Sequence, residues 1–219
     1  ILKLKKDKSA IVIGSGFGGL ASAIRLAVKG YRVKVFEAST GPGGKAKEIR
    51  ANGYRFDAGP SLFTEPDLVD ELFQLAKRNP RDYYSFIKLD AVCRYQFPSG
   101  EKFVASGDQE EFAETASKVL SGDKKRIEAL LNKSAFIYKH TAHLFLERSL
   151  HKLSTYLRFQ TLVSVITLPF IGVFSSMHKA NNNRLRNSKL SQLFNRYATY
   201  NGSSPYKAPA VLNIIPHLE

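Results

Sequence analysis

A glycine-rich turn between a short apolar segment and an apolar helical segment constrains the fold of this chain most strongly. Ala10–Ile13 is apolar and predicts a buried strand. The run that follows it directly is Gly14-Ser15-Gly16-Phe17-Gly18-Gly19. The next residues suit a helix that ends at Gly30, and Arg32–Glu37 predicts a second strand. Strand, turn, helix and strand form a βαβ unit, and such a unit joins two parallel strands.

Each position in this turn has a physical role that is typical of dinucleotide binding. Gly14 permits a tight turn, Gly16 has no Cβ to obstruct a pyrophosphate, and Gly19 allows close packing of helix on strand. The helix N-terminus offers backbone N–H groups and a partial positive charge to phosphates. Glu37 can accept hydrogen bonds from a ribose diol, and Ala38 beside it adds no cation for a 2′-phosphate. The pattern predicts a site for ADP-ribose, which NAD and FAD share; the alternative is a structural turn with incidental glycines.

The residues after the second strand favour FAD over NAD. The glycine-rich segment Gly41-Pro42-Gly43-Gly44-Lys45 stands where an NAD domain would begin its next helix. Flexible glycines followed by a cation suit a loop folded over the same pyrophosphate. Asn52-Gly53 then predicts a two-residue hairpin turn, which leads to Phe56-Asp57-Ala58-Gly59-Pro60.

In this order and spacing, the three segments resemble the flavoprotein superfamily that includes amine oxidases and carotenoid desaturases. The resemblance implies an FAD cofactor, a Gly-Gly-Arg/Lys loop in which Lys45 replaces the commoner arginine, and an Asp-x-Gly segment that approaches the flavin. We expect no metal site. The expected cofactor-binding residues are Gly14, Ser15, Gly16, Phe17, Gly18, Gly19, Glu37, Ala38, Gly43, Gly44, Lys45, Asp57, Gly59 and Pro60.

The C-terminal part of the chain narrows this resemblance to one family. Leu193–Pro209 closely resembles a motif of bacterial-type phytoene desaturases and their relatives, and Gly59–Thr64 matches the same family. The resemblance implies that a polyene such as phytoene gives a hydride to the flavin of FAD and then loses a proton, in carotenoid biosynthesis. No catalytic base is identified among the candidates, which are His140, His143, Glu147, Arg148, His151 and His178. Three tyrosines either line a polyene channel or pack in the fold: Tyr197, Tyr200 and Tyr206.

Two other functions stay open. One is another flavin oxidoreductase of the superfamily, such as an amine oxidase or a carotenoid ketolase or saturase. The other is a non-catalytic FAD- or lipid-binding fragment. The resemblance also implies relatives more than twice as long as these 219 residues, with a C-terminal part that completes the FAD domain. We therefore expect part of a longer protein, with an FAD-binding domain over residues 1–82 and a partial substrate and membrane-associating domain over residues 83–219.

The charge distribution bears on the partners. The formal net charge is +14, and the stretch Arg148–Leu218 has nine cations and no Asp or Glu. It contains seventeen uncharged residues, Thr161–Met177, which are few for a transmembrane helix and are interrupted by Pro169 and Gly172. A solvated basic face, a nucleic-acid surface or an anionic membrane surface would each explain the charge. Since a lipid-soluble polyene substrate must come from a bilayer, we expect peripheral membrane association and no nucleic acid; a buried helix is the alternative for the apolar segment.

The remaining patterns complete the predicted fold. Cys93 is the only cysteine and no signal-peptide-length apolar run opens the chain, so we expect a cytoplasmic protein; no oligomeric state is indicated. Thr64 predicts the N-cap of a helix. The further predicted strands are Tyr83–Leu89, Val92–Phe97 and Lys102–Ala105, and the further helices are Asp108–Leu120 and Lys124–Leu150. The predicted fold is α/β: a Rossmann-like FAD-binding domain with a parallel sheet, plus part of an α+β substrate domain.

Overall fold

The chain forms two compact units, residues 1–87 and 88–219. The computed structural model describes residues 8–60, 62–145 and 171–218. The first unit begins with strand β1, helix α1 and strand β2, which span Ser9–Ile13, Phe17–Val28 and Arg32–Phe36. Strands β1 and β2 pair in parallel, with Ser9 opposite Arg32 and Ile13 opposite Phe36. The predicted βαβ unit and the Rossmann-like fold class are confirmed. The roles given to domains 1–82 and 83–219 stay predictions.

Helix α1 ends in the way its sequence predicts. Gly30 has a left-handed backbone with φ of 84°. Its N–H donates to Ala27 O over 2.9 Å, and the N–H of Tyr31 donates to Leu26 O over 3.1 Å. These two bonds form a Schellman motif, which satisfies carbonyls that the helix end leaves unpaired. Glycine suits this position because its φ is positive.

A hairpin and a helix follow in the first unit. Strands β3 and β4 and helix α2 span Glu48–Ala51, Tyr54–Asp57 and Pro66–Leu75. The turn residues Asn52 and Gly53 have φ of 51° and 82°, as a type I′ turn requires, so the predicted hairpin is confirmed. The predicted N-cap, Thr64, is wrong, because the N-cap of α2 is Glu65. Pro66, whose fixed φ suits the first helical residue, begins the helix and places the cap one residue later.

The predicted strand Tyr83–Leu89 is not a strand. A 3₁₀ turn at Pro80–Asp82 leads into irregular backbone, in which Tyr83 and Tyr84 both pack on Phe73, with ring centroids 5.0 and 5.8 Å away. Consecutive residues of a strand point to opposite faces. Two neighbouring tyrosines that share one aromatic partner are therefore incompatible with a strand here.

The second unit joins an antiparallel pair of strands to helices. Strands β5 and β6 span Ala91–Gln96 and Lys102–Ser106 and are antiparallel. Helices α3 to α7 span Gln109–Val119, Lys124–Phe145, Met177–Leu185, Ser188–Asn195 and Ile215–Leu218. Two 3₁₀ segments, Arg196–Asn201 and Ala210–Ile214, lie between α6 and α7. The predicted helix from Lys124 is confirmed as far as Phe145, and its last five residues lie outside the described residues.

Aromatic side chains form the centre of the second unit. Phe103, Phe112 and Phe194 are 1%, 6% and 0% exposed. The ring of Phe112 meets Phe103 and Phe194 edge-on, with centroids 5.4 and 5.9 Å apart, a favourable geometry for aromatic pairs. Strand pair and helices thus share one apolar core, as the α+β class requires.

Candidate dinucleotide-binding site

The glycine turn presents the N-terminus of α1. Gly16 is the N-cap; no side chain caps the helix there, and its first turn has no acidic residue. The turn is anchored to the end of β2, because the N–H of Gly14 donates to Phe36 O over 2.7 Å. A Cβ on Gly19 would lie 1.9 Å from Gly14 O, so only glycine fits there. The positive end of the helix is thus unneutralised by its own side chains.

The second glycine loop lies directly against this turn. The N–H of Gly43 donates to Ser15 O over 2.9 Å, and Gly16 and Gly43 form a parallel bridge. A Cβ on Gly44 would come within 3.1 Å of Gly16 Cα. Lys45 lies in a short 3₁₀ turn, Gly44–Ala46, at this contact. Two segments that helix α1 and strand β2 separate in the sequence are therefore in backbone contact.

The segment after the hairpin packs on the same loop. The N–H of Ala58 donates to Lys47 O over 2.9 Å. A Cβ on Gly59 would lie 1.9 Å from Lys45 O, so this glycine too is required by a close backbone approach. Asp57, at the end of β4, lies 3.7 Å from the guanidinium of Arg55. Turn, loop and Asp-x-Gly segment form a continuous series of backbone contacts, and Pro60 follows directly.

Glu37 is held against the turn by hydrogen bonds. Its Oε2 accepts from the N–H and the hydroxyl of Ser15, both over 2.7 Å, and its Oε1 accepts from the N–H of Ser39 over 2.9 Å. The hydroxyl of Ser15, then its N–H and that of Ser39, lower the pKa of Glu37 from 4.5 to about 2. The carboxylate is therefore ionised throughout the neutral range. Ala38 lies between Glu37 and Ser39 in the chain and is exposed.

Two features of this region were not predicted from the sequence. One is the pairing of Ser15 with Glu37, although Ser15 is the only hydroxyl residue in the glycine run. The other is an open depression of about 520 Å³ beside the loop, whose lining includes Ser39, Lys47 and Arg55. Both arise from residues that are distant in sequence. Phe17 and Gly18 lie in the first turn of α1, and Phe17 is 58% exposed.

The candidates in the second unit are spread over its surface and core. Tyr197 is 5% exposed, whereas Tyr200 and Tyr206 are 45% and 66% exposed, so the three do not share one environment. His140 Nδ1 bonds to Phe136 O. The candidates Glu147, Arg148 and His151, the side chain of His143 and residues 161–170 of the apolar segment lie outside the described residues. Among the helices that the structure describes, none is long and apolar enough to cross a membrane.

Known proteins share this chain's sequence pattern. Residues 12–78 match the sequence model of the NAD(P)-binding Rossmann-like domain. A 1-hydroxycarotenoid 3,4-desaturase from Flavobacterium sp. is 47% identical over 97% of this chain. The chain is therefore a homologue of a carotenoid desaturase over nearly its whole length. A second relative, 4,4′-diaponeurosporene oxygenase from Staphylococcus haemolyticus, is 30% identical over 97% of the chain. The chain spans 43% and 42% of the lengths of these two relatives.

Solved structures agree with the fold of this chain. A variant of putrescine oxidase has a TM-score of 0.57 at 16% identity, over 95% of this chain and 40% of the oxidase. A protein from Pyrococcus furiosus has a TM-score of 0.55 at 14% identity, over 96% of this chain and 42% of that protein. At these identities the likeness shows the fold alone.

Proposed function

We propose that this chain forms the ADP-binding part of an FAD site in an oxidoreductase that desaturates a carotenoid. The observation that supports FAD most directly is the continuous backbone contact between the glycine turn, the loop Gly43–Lys45 and the segment Asp57–Gly59. A dinucleotide turn alone would suit NAD equally well. The two further segments add a second wall beside the pyrophosphate and a path toward the flavin.

The residues of the site suit the separate parts of the cofactor. Gly16 and the uncapped N-terminus of α1 suit the pyrophosphate, with Lys45 as a nearby cation. The carboxylate of Glu37 suits the ribose diol of the ADP half, because it is ionised and can accept hydrogen bonds. Asp57, and with it Gly59 and Pro60, lead toward the flavin end. FAD supplies hydride acceptance when it is bound; these residues bind and orient it.

The substrate proposal rests on the relatives. The name of the Flavobacterium relative specifies a 1-hydroxycarotenoid and a 3,4-desaturation, and its identity of 47% exceeds that of the oxygenase, 30%. We infer desaturation of a carotenoid, for which phytoene and hydroxylated carotenoids are the substrates to compare. Carotenoid oxygenation is the second candidate, because the Staphylococcus relative bears that name.

Peripheral association with the cytoplasmic face of a membrane belongs to the same proposal. A polyene has very little solubility in water, so its enzyme must take it from a bilayer. Exposed cations on the second unit suit anionic head groups, among them Lys179, Arg186 and Lys207. A polyene and a membrane surface, rather than a nucleic acid, are therefore the proposed partners.

Two measurements test this function in sequence. Purified protein is heated and the released chromophore is identified; we expect FAD, and release of NAD or of no nucleotide would contradict the cofactor proposal. The full-length protein is then incubated with membranes that contain phytoene or a 1-hydroxycarotenoid. We expect a red-shifted polyene absorption with loss of two hydrogens by mass spectrometry. A product that contains added oxygen would contradict desaturation and support carotenoid oxygenation.

A further inference from the structure

The second unit contains a cavity that is separate from the dinucleotide site. Its volume is about 340 Å³, which lies in the range of small-molecule sites. Its lining residues come from helix α4, helix α5, the 3₁₀ segment Ala210–Ile214 and the pair Ile171 and Gly172. Nothing in the proposed binding of FAD uses this cavity.

The described lining of the cavity includes two cations. They are Lys133 of α4 and Arg184 of α5, and no carboxylate is among the described residues that line it. Within the part of the chain that the structure describes, neither forms a salt bridge: Arg184 donates to Ala129 O over 3.4 Å, and the ammonium of Lys133 lies 4.6 Å from the ring of Phe136. Burial, and then the charge of Arg184, lower the pKa of Lys133. Two like charges near each other, of which Lys133 is partly buried and Arg184 exposed, favour a bound anion.

An unpaired acceptor lies among the lining residues. Asn213 is 7% exposed, and its Nδ2 donates to Asn181 Oδ1 over 2.8 Å. Asn181 in turn donates to Asn195 Oδ1 over 3.1 Å, and Asn195 bonds to His178 Nδ1 over 2.9 Å. This series fixes the orientation of each amide. It leaves Asn213 Oδ1 buried without a hydrogen-bond partner, which is unfavourable unless a ligand or water brings a donor.

Apart from Asn183, the rest of the described lining is apolar. Leu130, Ile137 and Ile171 are each no more than 2% exposed, and Ala180 and Ala210 complete this wall. A ligand that fits the cavity must therefore combine an anionic head with a hydrocarbon portion. It must also offer a hydroxyl or an N–H to Asn213. An ionised carboxylate has acceptors only, whereas the monoanion of a phosphate monoester has both anionic oxygens and one hydroxyl.

We propose that this cavity binds a phosphate monoester carried on an apolar chain. The phosphate lies between Lys133 and Arg184, its hydroxyl donates to Asn213, and the hydrocarbon lies along Leu130, Ile137 and Ile171. The ligand comes from a bilayer, as phosphatidic acid, or from solution, as an alkyl phosphate. This site goes beyond the proposed oxidoreductase function and can fail without affecting it.

A series of ligands tests the site on the unmodified chain. Decyl phosphate is titrated by calorimetry at a pH near 6, beside decyl sulfate, decanol and inorganic phosphate. We expect decyl phosphate to bind with one-to-one stoichiometry and at least about ten times more tightly than each of the others, because each lacks the hydroxyl, the charge or the chain. Equal binding of inorganic phosphate or of decanol would overturn the proposal.

Variants then locate the bound head group. We expect Lys133→Met and Arg184→Met each to weaken decyl phosphate binding by about tenfold or more. The matched controls, Lys125→Met and Lys139→Met, remove exposed cations from the same helix α4 and should leave affinity within about twofold. Equal losses in controls and cavity variants would show general electrostatic attraction and overturn the site.

Flotation with vesicles of phosphatidylcholine, with and without phosphatidic acid, separates the two sources of the ligand. Binding to the acidic vesicles that Lys133→Met abolishes identifies the bilayer lipid. Absence of this binding identifies the soluble ligand.

Discussion

The two units of the chain are stabilised in different ways. In the first, the apolar residues Ile11, Ile13 and Phe36 on strands β1 and β2 are 67%, 88% and 56% exposed. Around the dinucleotide turn, its contacts include close backbone approaches made by glycines. In the second, Phe103 and Phe194 are at most 1% exposed, within an aromatic core. A change of side-chain volume should therefore affect mainly the second unit, and an added Cβ mainly the first.

The largest effect is expected from a cavity in the aromatic core. Phe194→Ala should lower the free energy of unfolding of the second unit by about 3–5 kcal/mol, because the removed ring is fully buried. The matched control is Phe36→Ala, whose ring is 56% exposed, with an expected change of less than about 1 kcal/mol. Chemical denaturation followed by hydrogen exchange of the two regions measures both. Similar losses would show that exposure does not distinguish the units.

The second largest effect is expected from an added methyl group at the glycine turn. In Gly19→Ala the Cβ would lie 1.9 Å from Gly14 O, so turn and helix must separate. We expect the affinity for ADP-ribose to fall by roughly 100-fold, about 2.7 kcal/mol. Gly18→Ala is the control in the same helix, since nothing lies within 4 Å of its added Cβ. Calorimetry should give a much smaller loss of affinity for Gly18→Ala than for Gly19→Ala, because its added Cβ meets no backbone atom; a comparable loss would contradict the steric explanation.

A smaller effect concerns pH. In Ser15→Ala the largest cause of the low pKa of Glu37 is removed, so this pKa should rise from about 2 toward 4.5. A depressed carboxyl pKa contributes stability above the unfolded value, near 4.5, and loses it as the pH falls toward the folded value. The variant should therefore be less stable in its first unit above pH 4.5, with a smaller further loss below it. Its affinity for ADP-ribose should fall at higher pH than that of the parent chain, because Glu37 is protonated earlier.

Carboxyl NMR titration measures the pKa of Glu37 directly. Ser39→Ala is the control, because it keeps the backbone N–H that bonds to Glu37 and removes only the weaker contribution of the Ser39 side chain. Its shift should be smaller than that of Ser15→Ala. If both variants kept the pKa of Glu37 near 2, the hydroxyl of Ser15 would not position the carboxylate.

The smallest effect is expected at a surface ion pair. Arg25 of α1 donates to both oxygens of Glu71 of α2, over 3.2 and 3.1 Å, and both side chains are 46% exposed. Glu71→Gln should change the free energy of unfolding by less than about 1 kcal/mol, and by less still in high salt. A large loss would mean that side-chain pairs, rather than glycine contacts, stabilise the first unit.

Local chemistry explains which parts of the structure were predictable. The Asn52–Gly53 hairpin and the end of α1 at Gly30 depend on residues within a few positions, so the sequence predicts both. The region Tyr83–Leu89 depends on distant rings such as Phe73, and its alternating sequence gives no sign of them. The Glu37–Ser15 bond likewise joins residues 22 positions apart through one side-chain conformation. The neighbouring ends of strands β1 and β2 bring Ser15 and Glu37 close together. The hydrogen bond between them depends on the folded side-chain conformation, which the sequence does not show.

The glycine contacts also determine where this site could be redesigned. Gly19 and Gly59 each face a backbone carbonyl at a distance that no side chain tolerates, and main-chain atoms cannot be exchanged by mutation. A protein engineer who wished to change the preferred nucleotide would thus have to work at Ser15, Glu37 and Ala38, where side chains rather than backbone define the contact. The glycine contacts must therefore be kept together during evolution, whereas the side chains at Ser15, Glu37 and Ala38 can change one at a time.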